Sequence, residues 1–326
     1  MSAKSARSRA SVRRARAQSR RARELARVRA GQQAARASGK TSTKTGYTVR
    51  RLANPARSSV HDSSGRWIAT FTDGSYTVTL DAAARTFSEA SAAAPVNSRV
   101  AVRTLARPFA GTVDWNWLKA ARSDTRPDVF ALAMQYIAGA PNGFDGGGLR
   151  ISGDASYGPL LADGTREEGS DFNDYLGVSW TYGTTTDAPE ERQIASLDCS
   201  GFLRMVFGYR AGVPLSLEST GTTLPRRAVQ MLGSAPGVVT ISDTGTQVTS
   251  FSALAPGDLV FFDAATDDGT QIDHVGMYLG QDTAGNARFI SSRKTPDGPT
   301  LGDTGARSIL NGTGHYASAF RAVRRL

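Results

Sequence analysis

The sequence predicts an α+β protein in which strands give way to helices and then to strands again, behind a basic tail. Three observations carry this. Polar and apolar residues alternate on both sides of an Asp73-Gly74 turn, apolar residues recur at helical spacing over 129–137 and after 199, and two β-rich runs follow at 256–262 and 272–280. With 40% hydrophobic and 21% charged residues, the 326-residue chain has ordinary globular proportions, and its length suits about two domains.

Residues 1–46 carry 14 Lys/Arg against the single acid Glu24, a net of +13, while the rest of the chain is at −3. The overall +10 therefore describes a tail rather than a body. Only Val12, Leu25 and Val28 exceed alanine as aliphatics there, too few to offset ordering entropy, so the tail is expected to be disordered and to offer contact to polyanions. The body has no basic patch interleaved with aromatics, so no specific nucleic-acid site is expected. No apolar run reaches the ~18 residues of a transmembrane helix. No apolar run of roughly 7–15 residues follows the Arg-rich start either, so no secretory signal peptide is visible.

Residues 47–110 read as a small β-rich unit. The hairpin 66–72/75–80 and a strand over 98–105 make it up, and His61 falls in a polar turn. Residues 111–326 read as the second domain. Asp114 caps a helix over 115–121, and Asp124 or Thr125 caps another with Pro127 in its first turn. Val129, Leu132, Ala133, Tyr136 and Ile137 form the apolar stripe of that second helix, which Gly139 ends. The polar stretch at about 140–196 is long for a connection and reads as an inserted functional loop. Its acid and glycine cluster at 145–154 lacks calcium-loop spacing and reads as a turn.

One cysteine excludes disulfides within the chain, zinc ribbons and cysteine-ligated clusters. Three histidines, His61, His274 and His315, are too scattered for a recognisable metal site, so neither metal nor cofactor is expected. Cys199 lies at the start of a helical run, Phe202, Leu203, Val206 and Phe207 on one side, stopped by Gly212. A helix N-terminus favours thiolate over thiol, as a nucleophile requires. His274 opens a strand whose Val275, Met277 and Leu279 share one face, with His274, Gly276 and Tyr278 on the other. Gly276 leaves room for close approach. A cysteine on a helix start and, 75 residues later, a histidine on a strand form the arrangement of papain-like enzymes.

The motifs LDCSGF (197–202), GVPL (212–215), LPRR (224–227), PGDLVFF (256–262) and DHVGMYLG (273–280), with the closing run 316–325, resemble the NlpC/p-sixty family of bacterial cell-wall cysteine peptidases. The resemblance covers about 127–326. It implies a reduced papain-like fold, a helical lobe carrying the nucleophile and an antiparallel sheet carrying the base, and hydrolysis of amide bonds in peptidoglycan stem peptides. It also implies a secreted or wall-associated protein. In place of the family's third residue, usually histidine, Phe289-Ile290-Ser291-Ser292 offers Ser291, whose oxygen can accept from imidazole; His315 is the alternative. For the family's G-x-P-Y tyrosine two segments compete, 139–142 and 176–183. The second is nearer Cys199 and places Trp180 and Tyr182 on the substrate and oxyanion side, together with Ser200.

The expected reaction is a Cys-His thioester mechanism with Cys199 as nucleophile, His274 as base and Ser291 orienting it. Asp198 and Asp273 are expected to be structural. Two alternatives stay open: a wall-binding module of the same fold with weakened chemistry, and a papain-like amidase or acyltransferase on a non-wall substrate.

Overall fold

The computed structural model describes residues 41–44, 46–265 and 269–326. The tail read at 1–46 lies outside the described residues except at its end. There Thr41–Lys44 is a strand, because it pairs antiparallel with the strand that follows.

The chain divides into two compact units at Trp67/Ile68, inside the stretch 47–110 read as one β-rich unit. The first unit is an antiparallel meander of β1 (Thr41–Lys44), β2 (Tyr47–Leu52) and β3 (Arg57–Asp62), with Tyr47 opposite Asp62 and Leu52 opposite Arg57. Its His61 belongs to β3 rather than to a turn, with Nε2 2.9 Å from the Ser59 hydroxyl.

The second unit opens with the hairpin expected from the Asp-Gly dipeptide. Strands β4 (Trp67–Thr72) and β5 (Thr77–Phe87) pair Phe71 with Val78, and Gly74 takes φ +80°, a value that favours glycine. Strand β6 (Val96–Thr104) pairs along β5. Helix α1 (Trp115–Ser123) is capped as predicted, Asp114 accepting from the N–H groups of Asn116 and Trp117. The cap of the next helix differs. Asp128, not Asp124 or Thr125, caps α2 (Val129–Ala133), its carboxylate accepting from Ala131 N–H at 3.1 Å. Proline disfavours helical conformation in the residue before it, so Pro127 ends the approach rather than starting the helix. Asp128 also receives both Arg85 guanidinium nitrogens at 2.6 Å and the Val102 N–H at 2.8 Å, tying α2 to β5 and β6. A 3-10 turn, Met134–Tyr136, completes the stripe.

The 140–196 stretch is built of short elements: β7 (Gly143–Phe144), β8 (Arg150–Ser152), α3 (Phe172–Leu176), β9 (Trp180–Tyr182) and β10 (Thr185–Asp187). In its acid and glycine cluster, Asp145 accepts from the N–H groups of Gly147 and Leu149, closing a turn. Helix α4 (Cys199–Leu203) runs on into a π-helical turn, Arg204–Arg210, and α5 (Ala228–Ser234) follows.

The remaining strands, β11 (Val238–Ile241), β12 (Leu259–Phe262), β13 (His274–Gln281), β14 (Ala287–Arg293), β15 (Gly298–Thr300) and β16 (Phe320–Arg325), form one antiparallel sheet ordered β11-β16-β12-β13-β14-β15. Helix α6 (His315–Ala319) precedes β16. The two faces predicted for β13 are both buried. Val275, Met277 and Leu279 enter the main core with Phe130, Phe202 and Val206, whereas Tyr278 enters a second cluster with Phe262, Phe289 and Phe320. Tyr76, Phe87 and Val102 of the β4–β6 region share the main core. Asp258 of PGDLVFF, 1% exposed, takes a two-pronged ion pair from Arg325 at 2.7 and 2.9 Å, locking the β12 entry to the closing strand.

Candidate active site

The segment that ends at Cys199 is held by three hydrogen bonds, two from its own N–H groups and one from a serine hydroxyl. Leu197 N–H donates to Ser156 O and Asp198 N–H to Ser170 O, while the Ser292 hydroxyl donates to Leu197 O. Asp198 caps α4 by accepting from Gly201 N–H at 2.7 Å. Gly201 permits this fit, since a Cβ there would lie 2.2 Å from Ser170 O. Burial opposes the Asp198 charge, but Arg226, at 3.1 and 2.6 Å, and the N–H groups of Gly201 and Gly169 hold its carboxyl below the usual range. Asp198 is thus structural, as expected.

Cys199 is 7% exposed. Its Sγ lies 3.9 Å from Asp273 O, and the Val275 N–H also bonds it, so the sulfur meets β13 on both sides of His274. Burial acts against the thiolate that the helix start favours. Burial, and then the charges of Asp198 and Glu168, push the thiol up, more than Val275 N–H and Arg226 lower it. A buried five-residue helix gives too little opposing field.

His274 pairs with Phe262 across β12–β13 and is 8% exposed. Its Nε2 is 3.1 Å from the Ser291 hydroxyl on β14. Burial first, then electrostatic repulsion from Arg293 and His315, brings the imidazole down to about 3. Burial thus favours the uncharged form of both groups. What Gly276 admits is the neighbouring strand: a Cβ there would lie 2.8 Å from Ile290 O and 3.1 Å from Ser291 Cβ.

A cavity of about 550 Å³ opens at His274, lined among others by Tyr157, Glu168, Asp273, Arg293 and Tyr316. The Tyr157 hydroxyl donates to Glu168 at 3.1 Å, and Lys294 pairs with Glu168 at 2.9 Å. Burial raises the Tyr157 phenol. A cavity of about 670 Å³ beside Trp117, Arg103 and Arg210 contains none of the reactive groups, so size does not locate the chemistry.

The structure thus brings Cys199, His274 and Ser291 together. Trp180 and Tyr182 lie elsewhere. Trp180 packs on Phe172 and Tyr209 at ring distances of 5.1 and 5.9 Å, and the Tyr182 hydroxyl accepts from Arg204, itself paired with Asp171. Neither lines the His274 cavity; Tyr157 does. Its signal was a tyrosine followed directly by Gly158-Pro159, inside the stretch read as an insertion. Ser200 is bound into the cap, donating to Asp198 at 3.2 Å and accepting from Arg226 at 2.6 Å. His315 is exposed at the cavity rim, next to Tyr316. Among the described residues no group of His, Cys, Asp and Glu could hold a metal ion, and no helix is long and apolar enough to cross a membrane.

Residues 177–298 match the model of the NlpC/P60 family. No curated protein matches the chain. Among solved structures, a protein described as similar to lipoprotein, NLP/P60 family, from Staphylococcus aureus is 25% identical, covering 47% of this chain and 38% of its own, with a TM-score of 0.26. An NlpC/P60 family protein from Bacillus cereus is 24% identical, covering 40% and 32%, with a TM-score of 0.25. The chain therefore spans about a third of the length of these two proteins. NlpC2 from Trichomonas vaginalis is 13% identical over 87% of this chain and 82% of its own, with a TM-score of 0.30.

Proposed function

From the match of residues 177–298 to the NlpC/P60 family model, we propose a cysteine peptidase or amidase that hydrolyses amide bonds in peptidoglycan stem peptides. The observation that carries this is the seating of the Cys199 sulfur against the backbone on both sides of His274, with Ser291 bonded to the far ring nitrogen Nε2. Nδ1 is then the nitrogen left to take the thiol proton.

As Cys199 Sγ attacks the scissile carbonyl, Nδ1 accepts the proton, so no free thiolate need accumulate in the buried site. The carbonyl oxygen becomes an oxyanion. The Cys199 N–H, first in α4 and outside the intrahelical ladder, is the donor aimed at it, an interaction worth about 3 kcal/mol in comparable sites. The imidazolium then protonates the leaving amine, the C–N bond breaks, and a thioester remains. Water, deprotonated by His274, hydrolyses it. Ser291 and the Tyr157–Glu168 pair shape the imidazole and the cavity mouth.

Defined muropeptides incubated with the protein and read by mass should give one cleaved amide bond, and Cys199→Ala should give none. Cleavage retained in that variant rejects the proposal. The wall-binding reading draws on Ser291, a weaker orienting group than histidine, and on the raised thiol; saturable muropeptide binding with no product would favour it. The polyanion contact of the tail is tested by deleting residues 1–46, which should abolish binding to an anionic polymer that weakens as salt rises.

A further inference from the structure

His274 has one hydrogen-bonded anchor, the Ser291 hydroxyl at 3.1 Å. The second torsion of a histidine side chain is broad, so a single bond to a hydroxyl that can itself rotate restrains the ring plane weakly. A second restraint is present. The Tyr316 ring lies 5.1 Å from the imidazole at 33°, and Phe262 lies 5.7 Å away at 48°. Tyr316 is in turn fixed. Phe262 and Phe289 meet it edge-on at 5.3 and 5.4 Å, and the Arg293 guanidinium sits over its ring at 5.1 Å. Arg293 is 2% exposed, with hydrogen bonds to Ala306 O, Gly302 O, the Ser308 hydroxyl and the Tyr316 hydroxyl. A cation over an aromatic face attracts more strongly when it is buried than when it is exposed.

We propose that Tyr316, clamped by Arg293, is a positioning residue that fixes the plane of the His274 ring and supplies the orientation that the lone Ser291 hydrogen bond leaves unset. This rests on the Cys199–His274 reading. The ring face is what meets the imidazole, while the hydroxyl bonds Arg293, so Tyr316→Phe keeps the orienting face and Tyr316→Leu removes it.

In the full-length protein, Tyr316→Leu should slow both iodoacetamide alkylation of Cys199 at neutral pH and muropeptide kcat by about tenfold, with KM within about twofold, because reaching the reactive ring plane then requires a search. Tyr316→Phe should keep both rates within about threefold. In the parent, the carbon-bound ring protons of His274 should show an upfield ring-current shift that survives in Tyr316→Phe. His274→Ala is the control for the underlying reading: unchanged alkylation and turnover there would bring down the Cys–His pair and this inference with it. If His274→Ala is slow while Tyr316→Leu matches the parent, or Tyr316→Phe is as slow as Tyr316→Leu, only the positioning role falls. Should Tyr316→Leu fail to fold, absence of the ring-current shift in the parent overturns the inference by itself.

Discussion

At the scale of single residues, the site is set by burial more than by formal charge. His274 folds with its imidazole down at about 3, far below the ordinary histidine value of about 6.5. The depressed group binds a proton in the unfolded chain before it does so in the folded one. Stability therefore falls as pH drops from about 6.5 towards about 3 and is flat above that window, a loss of up to about 5 kcal/mol from this residue. Urea melts at pH 7 and about pH 4 should show the parent losing several kcal/mol more than His274→Gln over the same interval. The same depression keeps the base unprotonated in mild acid. Initial rates on folded protein between about pH 5 and 7 should change by less than about twofold, whereas a free histidine would impose a fall of about 25-fold.

At the scale of elements, α4 is positioned by one close backbone approach and one buried ion network. A Cβ at residue 201 would collide with Ser170 O and Asp171 Cα, so Gly201→Ala should cost about 1–3 kcal/mol by chemical denaturation and displace Cys199 enough to lower turnover. Arg226 joins Asp198, Ser200 and Asp171. Arg226→Met would leave buried carboxylates without that cation and should cost about 3–5 kcal/mol in the same assay. Much of this level was legible in the sequence. The Asp-Gly hairpin, the Asp114 cap, the two-faced pattern of β13 and the helix after Cys199 follow from local chemistry. The Asp128 cap was misplaced because its competitors are decided by Arg103 and Arg126, which engage Asp124 instead. Trp180 and Tyr182 were put near Cys199 on sequence distance. The chain turns them towards Phe172 and Arg204 and brings Tyr157, farther away in sequence, to the His274 cavity; its Gly158-Pro159 neighbours were a local signal, but long-range packing decides which tyrosine arrives there.

At the scale of the second unit, the β4–β6 strands and the site share a core, so they should unfold together. Phe130 is fully buried in that core with Phe87 edge-on to it at 5.6 Å, and Asp128, which caps its helix, is tied to Arg85. Phe130→Ala should cost about 3–5 kcal/mol, and the urea transitions followed by tryptophan fluorescence and by far-ultraviolet circular dichroism should shift together rather than separate. Neither the shared core nor the division at Trp67/Ile68 could be read from the sequence, because both depend on partners far apart along the chain, such as Thr77 N–H bonding Leu326 O.

The sealed sulfur also bears on survival outside a reducing cell. Peroxide attacks thiolates, and susceptibility follows thiolate fraction and access. A Cys199 held as a thiol and almost without solvent contact should be oxidised to sulfenic acid far more slowly than an exposed low-pKa cysteine. The protein would then retain its one nucleophile in aerated surroundings without a reductant or a second cysteine to restore it.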